Sequence, residues 1–161
     1  MSGIRLPDIV PVMGSPRVSY VIGRLDRLLR RRLSAAVAPT GLTLPAYTAL
    51  SVLRAQDGLS NAQLARRSLV TPQSMSEVLA QLVDLGYVRR HAEPGHGRVI
   101  RTELTEAGSR ALERCDRAVD EVERELLGDL DADEVTELRD VLSRCGRALK
   151  GELAEKVLEQ S

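Results

Sequence analysis

Within five residues the chain carries Gln73, Ser74, Ser76 and Glu77, side chains whose hydrogen-bonding groups match the edges of DNA bases. Glutamine pairs bidentately with adenine, serine can contact several bases, and glutamate accepts from the amino group of cytosine. Arginines suited to phosphate stand on both sides: Arg66 and Arg67 before this cluster, Arg89, Arg90, Arg98 and Arg101 after it. Short polar side chains that specify and guanidinium groups that hold position are the two halves of duplex recognition.

Other chemistries lack their residues. No nucleophile elbow, phosphate-binding glycine loop or paired-acid constellation occurs, so no catalytic residue and no enzyme is expected. His91 and His96 are the only histidines, and Cys115 and Cys145 cluster neither with them nor with each other. No metal or cofactor is therefore expected. Both cysteines fall in helix seams, where they read as packing, and two are too few for a disulfide framework, which points to the cytoplasm. The acids from Asp116 to Glu125 read as a solvated helix face.

The elements that must position the polar cluster can be read from local signals. Ser60-Asn61-Ala62-Gln63 is a capping-box pattern, with Leu59 and Leu64 placed as a hydrophobic staple, and opens a helix to about Arg67. Ser68-Leu69-Val70 makes a short turn. Thr71 then caps a second helix, with Pro72 at its first position, and Gly86 stops it after Leu85. On this helix Met75, Val78, Leu79, Leu82 and Leu85 fall inward, and Gln73, Glu77, Ala80 and Asp84 fall outward. Tyr87 to His91 and Val99 to Leu104 read as strands of a hairpin with a long tip around Pro94-Gly95. An amphipathic surface helix would show the same periodicity. The capped partner helix, the short turn and the hairpin favour a winged helix-turn-helix, whose second helix enters the major groove.

Helices flank this lobe. Over Ser15 to Ala38, Val18, Val21, Ile22, Leu25, Leu28, Leu29, Leu33 and Val37 form one stripe, with Arg24, Arg27 and Arg31 opposite. Thr43 caps a helix to about Gln56 whose stretch Leu42 to Leu53 has no charge and reads as buried. After Thr105 come two helices separated at Gly128, the second opened by Asp131 and Glu134 as a capping box. Their apolar residues step by alternating threes and fours, as in Leu112, Cys115, Val119, Val122, Leu126 and in Val135, Leu138, Leu142, Cys145, Leu149. Such narrow seams need partners, and with no Phe or Trp the chain has little else to cover them, so a homodimer is expected. The organisation is a single domain over 1–161. Helical dimerisation and scaffold segments at 15–56 and 105–161 flank a winged helix-turn-helix lobe at 59–104. The class is mainly α with a small β-hairpin wing.

Formal net charge is zero, but the distribution is uneven. Met1 to Leu53 carries 7 Arg and 2 acids, Arg54 to Arg101 carries 7 Arg and 4 acids, and Thr102 to Ser161 carries 9 bases and 17 acids. An acidic C-terminal third hides a basic front, as expected when one face meets nucleic acid. Neutral total charge and an outward helix face free of Arg and Lys support the alternative, a winged-helix protein-interaction module without DNA readout. No apolar run reaches membrane-spanning length. Met1 to Pro16, interrupted by Pro7 and Pro11, reads as a loose or partner-draped arm rather than a signal peptide.

Gly41-Leu42-Thr43-Leu44-Pro45, Leu64-Ala65, Val70-Thr71-Pro72-Gln73-Ser74-Met75-Ser76, Leu85-Gly86-Tyr87-Val88 and Leu104-Thr105-Glu106-Ala107-Gly108 together resemble the multiple-antibiotic-resistance regulator (MarR) family. The resemblance runs from about Val18 to Leu149. It implies a homodimer whose subunits each supply a winged helix-turn-helix lobe, a pseudo-palindromic double-stranded operator, and repression relieved by a small aromatic or anionic effector. The DNA contacts it implies are Ser60, Arg66, Arg67, Thr71, Pro72, Gln73, Ser74, Ser76, Glu77, Arg90, His96 and Arg98. The effector site it implies lies between the dimer base and the DNA lobe, where Tyr47, on the buried helix, and then Tyr20, beside Arg24, are the candidate lining residues; simple packing is the other reading of both tyrosines. The chain departs from the family pattern at the wing, where His96 replaces the usual acid two residues before Arg98. His96 can touch phosphate with a charge that varies near neutral pH. A second departure is Glu77, where many members carry a basic or amide residue.

Overall fold

A computed structural model describes residues 16–93 and 96–158, with side chains for all of these except 93, 96–98 and 150–158. The arm read over residues 1–15 lies outside the described residues. Two compact units divide between Val119 and Asp120.

The first unit begins with α1 (Val18–Val37), entered from Arg17 without a side-chain cap. A single 3-10 turn, Ala38–Thr40, closes on Gly41 at φ 82°, a left-handed position that suits glycine. Thr43 then accepts from the Ala46 amide and caps α2 (Leu44–Ala55). The charge-free α2 is buried as its composition requires: Ala46, Ala49, Leu50 and Leu53 have no exposed surface. They form the core with Leu64, Ala65, Met75, Leu79, Leu82, Ala111, Leu112 and Cys115.

Leu59–Ser60 forms a short strand, β1, which the sequence shows only as a cap and staple. Both readings hold, since Ser60 caps α3 (Asn61–Arg67) with its side chain while its backbone pairs with Arg101. The turn after α3 places Leu69 at φ 56° with 80% of its surface exposed. Thr71 caps α4 (Pro72–Asp84), which buries Met75, Leu79 and Leu82. Helical spacing places Leu85 inward, but it is 44% exposed, because it is the C-cap and no longer follows the helical face. Gly86 at φ 69° lets the Tyr87 amide reach Leu82 O and the Gly86 amide reach Val83 O, the paired bonds of a Schellman stop.

β2 (Val88–Glu93) and β3 (His96–Leu104) are antiparallel, in register from Val88↔Leu104 to Glu93↔His96, with an irregularity at Ala92/Glu93. β1 pairs with the other edge of β3, giving the order β1-β3-β2. The strands extend nearer the tip than the expected boundaries at His91 and Val99. Regular pairing ends at Ala92↔Ile100, and beyond the irregularity one further pair, Glu93↔His96, extends the ladder.

Thr105 caps α5 (Glu106–Leu127) through Gly108 N–H and also donates to Gly86 O at 2.7 Å. The helix start is pressed onto the strand entry so closely that a Cβ at Gly108 would lie 2.1 Å from Tyr87 O. In the second unit α6 (Ala132–Leu158) starts with the expected reciprocal cap, Asp131 N–H to Glu134 and Glu134 N–H to Asp131, both at 2.9 Å. Its seam residues Leu138, Leu142, Cys145 and Leu149 are exposed. No single helix among the described residues is long and apolar enough to cross a membrane.

Candidate nucleic-acid interface

The helix-turn-helix is locked by hydrogen bonds at both helix starts. Ser60 N–H donates to Gln63 Oε1 at 2.9 Å and the Ser60 hydroxyl accepts from the Gln63 amide at 3.3 Å, which completes the capping box. Arg101 donates to the same Gln63 oxygen at 3.2 Å and to Gly58 O at 3.4 Å, so it ties β3 to α3. At the start of α4 the Thr71 hydroxyl accepts from the Ser74 amide at 3.1 Å and donates to Ser74 Oγ at 2.9 Å. Asn61 reaches from α3 to α4, its Nδ2 donating to Pro72 O and to Ser76 Oγ, each at 3.0 Å.

These bonds leave a polar, exposed N-terminal face on α4. Thr71, Pro72, Gln73, Ser74, Ser76 and Glu77 are all exposed. Ser60 is half-buried and occupied as a cap. Arg66 and Arg67, in the last turn of α3, and Arg90, on β2, are exposed and form no ion pair among the described residues. These three arginines stand on the elements before and after α4, whose own outward face carries no Arg or Lys. The wing is more engaged than expected. Glu103 lies 3.6 Å from Arg89 and 3.7 Å from His91 Nε2, and Arg101 is a strut rather than a free phosphate donor. The backbones of His96 and Arg98 lie in β3, while their side chains fall outside the described residues.

Asn61, Gln63 and Arg101 are the positioning residues that sequence reading does not place together. Gln63 is legible as a cap. Asn61 and Arg101 act across 11 to 15 and 38 residues, beyond any local pattern.

The residues suggested for an effector site divide. Tyr47 is half-buried on α2 and its hydroxyl donates to Asp116 Oδ1 at 3.1 Å, while Arg54 donates to Asp116 Oδ2 at 2.5 Å. Burial holds the Tyr47 phenol above its ordinary pKa of 10.0. The Asp116 bond adds to this and Ser51 opposes it, so the phenol is a donor at neutral pH. The hydrogen bond to Asp116 likewise raises Arg54. Asp116 therefore does not belong to a solvated face as expected: its side chain is only 25% exposed and two partners hold it. Tyr20 is 54% exposed and Arg24 half-buried on α1. Neither hydrogen-bonds nor ion-pairs with Tyr47 among the described residues.

Comparison with known proteins gives this arrangement a family. The MarR family model matches residues 40–99. The chain is 37% identical over 129 residues to the HTH-type transcriptional repressor Rv2887 of Mycobacterium tuberculosis, covering 80% of this chain and 93% of that protein. The crystal structure of Rv2887 in complex with DNA superposes with a TM-score of 0.68 at 35% identity, covering 82% of this chain and 99% of that one. The Rv2887 complex with salicylic acid gives the same TM-score and identity, covering 83% and 99%. With the family model spanning α2, the helix-turn-helix and most of the wing, and a repressor matched across four-fifths of the chain (80%), the protein belongs to the MarR family of transcriptional regulators.

Proposed function

We propose that two copies of this chain form a homodimer that represses transcription by binding a pseudo-palindromic double-stranded operator in the cytoplasm. The observation that carries the reading is the interlocked α3–turn–α4 pair, with exposed polar side chains at the start of α4 and, on α3 and β2, Arg66, Arg67 and Arg90 exposed and without an ion pair among the described residues. In this reading residues 59–104 are the DNA lobe. Thr71, Pro72, Gln73, Ser74, Ser76 and Glu77 meet the major groove. Ser60, Arg66, Arg67, Arg90, His96 and Arg98 meet the backbone or the adjacent groove.

Dimerisation is supported by apolar surface that the described residues leave uncovered: Val18 at 72% and Leu28 at 53% exposure on α1, Leu142 at 45% and Leu149 at 66% on α6. Two-fold symmetry then favours an inverted repeat with half-sites about 10 bp apart or a multiple of that. The complexes of Rv2887 with DNA and with salicylic acid support a ligand-released repressor. Tyr47 is the proposed lining residue for a small aromatic acid, offering its ring since its hydroxyl donates to Asp116, with Tyr20 and Arg24 as further candidates.

A mobility-shift titration on the DNA upstream of the chain's own gene, across a salt series and with added salicylate, tests this. A retarded complex is expected whose log affinity falls linearly with log salt and which salicylate dissociates. If the folded dimer retains no duplex at low salt, the winged lobe serves protein contacts instead.

A further inference from the structure

We infer that Ser76 meets the operator as a hydrogen-bond acceptor, and that each half-site presents a base amino group opposite it. The inference rests on the DNA reading above and narrows it. A serine hydroxyl has one hydrogen and two lone pairs, so sequence alone leaves Ser76 free to donate or accept. The fold removes that freedom. The hydroxyl donates to Pro72 O at 2.9 Å, and the Asn61 amide donates to Ser76 Oγ at 3.0 Å and to Pro72 O at 3.0 Å.

The Asn61 amide cannot be turned over without loss. Its Oδ1 is already buried without a partner among the described residues. The flipped amide would set that oxygen against the Pro72 carbonyl oxygen and bury the N–H groups unbonded, which is the heavier penalty. The hydroxyl hydrogen is therefore held inward and one lone pair of an exposed Ser76 is left outward. In the major groove the groups that donate to an acceptor are cytosine N4 and adenine N6, whereas guanine and thymine present carbonyl oxygens. Glu77 beside it is likewise an acceptor, and no Arg or Lys lies between Pro72 and Asp84. Ser74 contrasts with both. It accepts from the Thr71 hydroxyl at 2.9 Å and keeps its own hydrogen to give. The helix is thus donor-capable in its first turn and acceptor-only just beyond, with Asn61 as the positioning residue that sets this polarity.

The test begins by selecting the preferred duplex from randomised half-sites with the wild-type protein. Each adenine is then replaced by purine and each cytosine by 2-pyrimidinone, which removes the amino group alone. Binding of wild type, Ser76→Ala and Asn61→Ala is followed by fluorescence anisotropy, with thermal unfolding as a folding control. One position per half-site should show about a tenfold loss for wild type on amino removal and no loss for Ser76→Ala. At that position Asn61→Ala should accept a carbonyl-bearing base several-fold better than wild type does, a change in base preference that simple destabilisation does not produce. Should Asn61→Ala fail to fold, the Ser76→Ala comparison decides alone, since that site is an exposed helical position.

The inference is overturned if wild type is indifferent to amino removal at every position, or if the base that responds to Ser76→Ala carries a guanine or thymine oxygen. Absence of binding to any duplex by folded wild type would instead remove the DNA reading itself.

Discussion

The helix-turn-helix lobe and the α1 and α6 helices use the same apolar residues to opposite ends. In the lobe, Leu64, Met75, Leu79 and Leu82 have no exposed surface, and each helix start is closed by its own cap. On α1 and α6, Val18, Leu28, Leu142 and Leu149 follow helical spacing just as regularly yet stay 45–72% exposed. The lobe completes itself within one chain, whereas those helices carry apolar surface that the described residues leave open, as the proposed homodimer requires. Periodicity reports that a face will be buried; it does not report by which chain.

The largest expected effect breaks the lobe from inside. Gly108→Ala places a Cβ 2.1 Å from Tyr87 O, a backbone atom that cannot step aside. Urea denaturation should show a loss of about 3 kcal/mol; a variant within experimental error of wild type would mean that α5 does not press on the strand entry. The seams are broken from outside. Leu28→Asp combined with Leu142→Asp should weaken self-association roughly a hundredfold or more, because a charge is then buried without a partner. Sedimentation should move from twice the chain mass toward the monomer, and persistence of a full dimer would place the interface elsewhere.

A smaller effect of opposite sign is expected in the turn. Leu69 sits at φ 56° with most of its side chain in solvent, and asparagine tolerates that backbone better. Leu69→Asn should raise stability by about 0.5–1 kcal/mol. A decrease would show that the exposed leucine packs against something in the dimer. The smallest effect appears only in alkali. Burial raises the Tyr47 pKa above 10.0, so the unfolded chain ionises first and binds fewer protons. Stability therefore falls as pH rises from about 10 through the folded value. Tyr47→Phe should flatten that alkaline decline while losing about 1 kcal/mol at neutral pH with the Asp116 bond. An unchanged alkaline slope would assign the decline to other groups.

What could be read in advance follows the reach of each interaction. Ser60 with Gln63, Thr71 with Ser74 and Asp131 with Glu134 act across three residues, so the pattern itself displays them. The core face of α4 is legible up to Leu85, where the helix ends and its periodicity no longer governs. β1 is hidden because two residues are too few to show alternation and their cap signal masks the strand. The Asn61 bridge to Ser76 and the Asp116 bond to Tyr47 span 15 and 69 residues and exist only once the elements have docked. Asp116 reads as one more acid on an acidic helix until α2 is seen beside it.

The central claim is that α4 reads sequence while the arginines around it hold the backbone. It is tested most directly by comparing Gln73→Ala with the pair Arg66→Ala and Arg67→Ala on specific and scrambled duplexes at several salt concentrations. Gln73→Ala should lose about 1–3 kcal/mol on the specific duplex alone, leaving the salt slope unchanged. The double arginine variant should weaken both duplexes alike and flatten the slope by about one unit for each phosphate that is no longer neutralised. If Gln73→Ala weakened both duplexes equally while the arginine pair affected only the specific one, the helix would be the anchor and the arginines the readers, and the account would be contradicted.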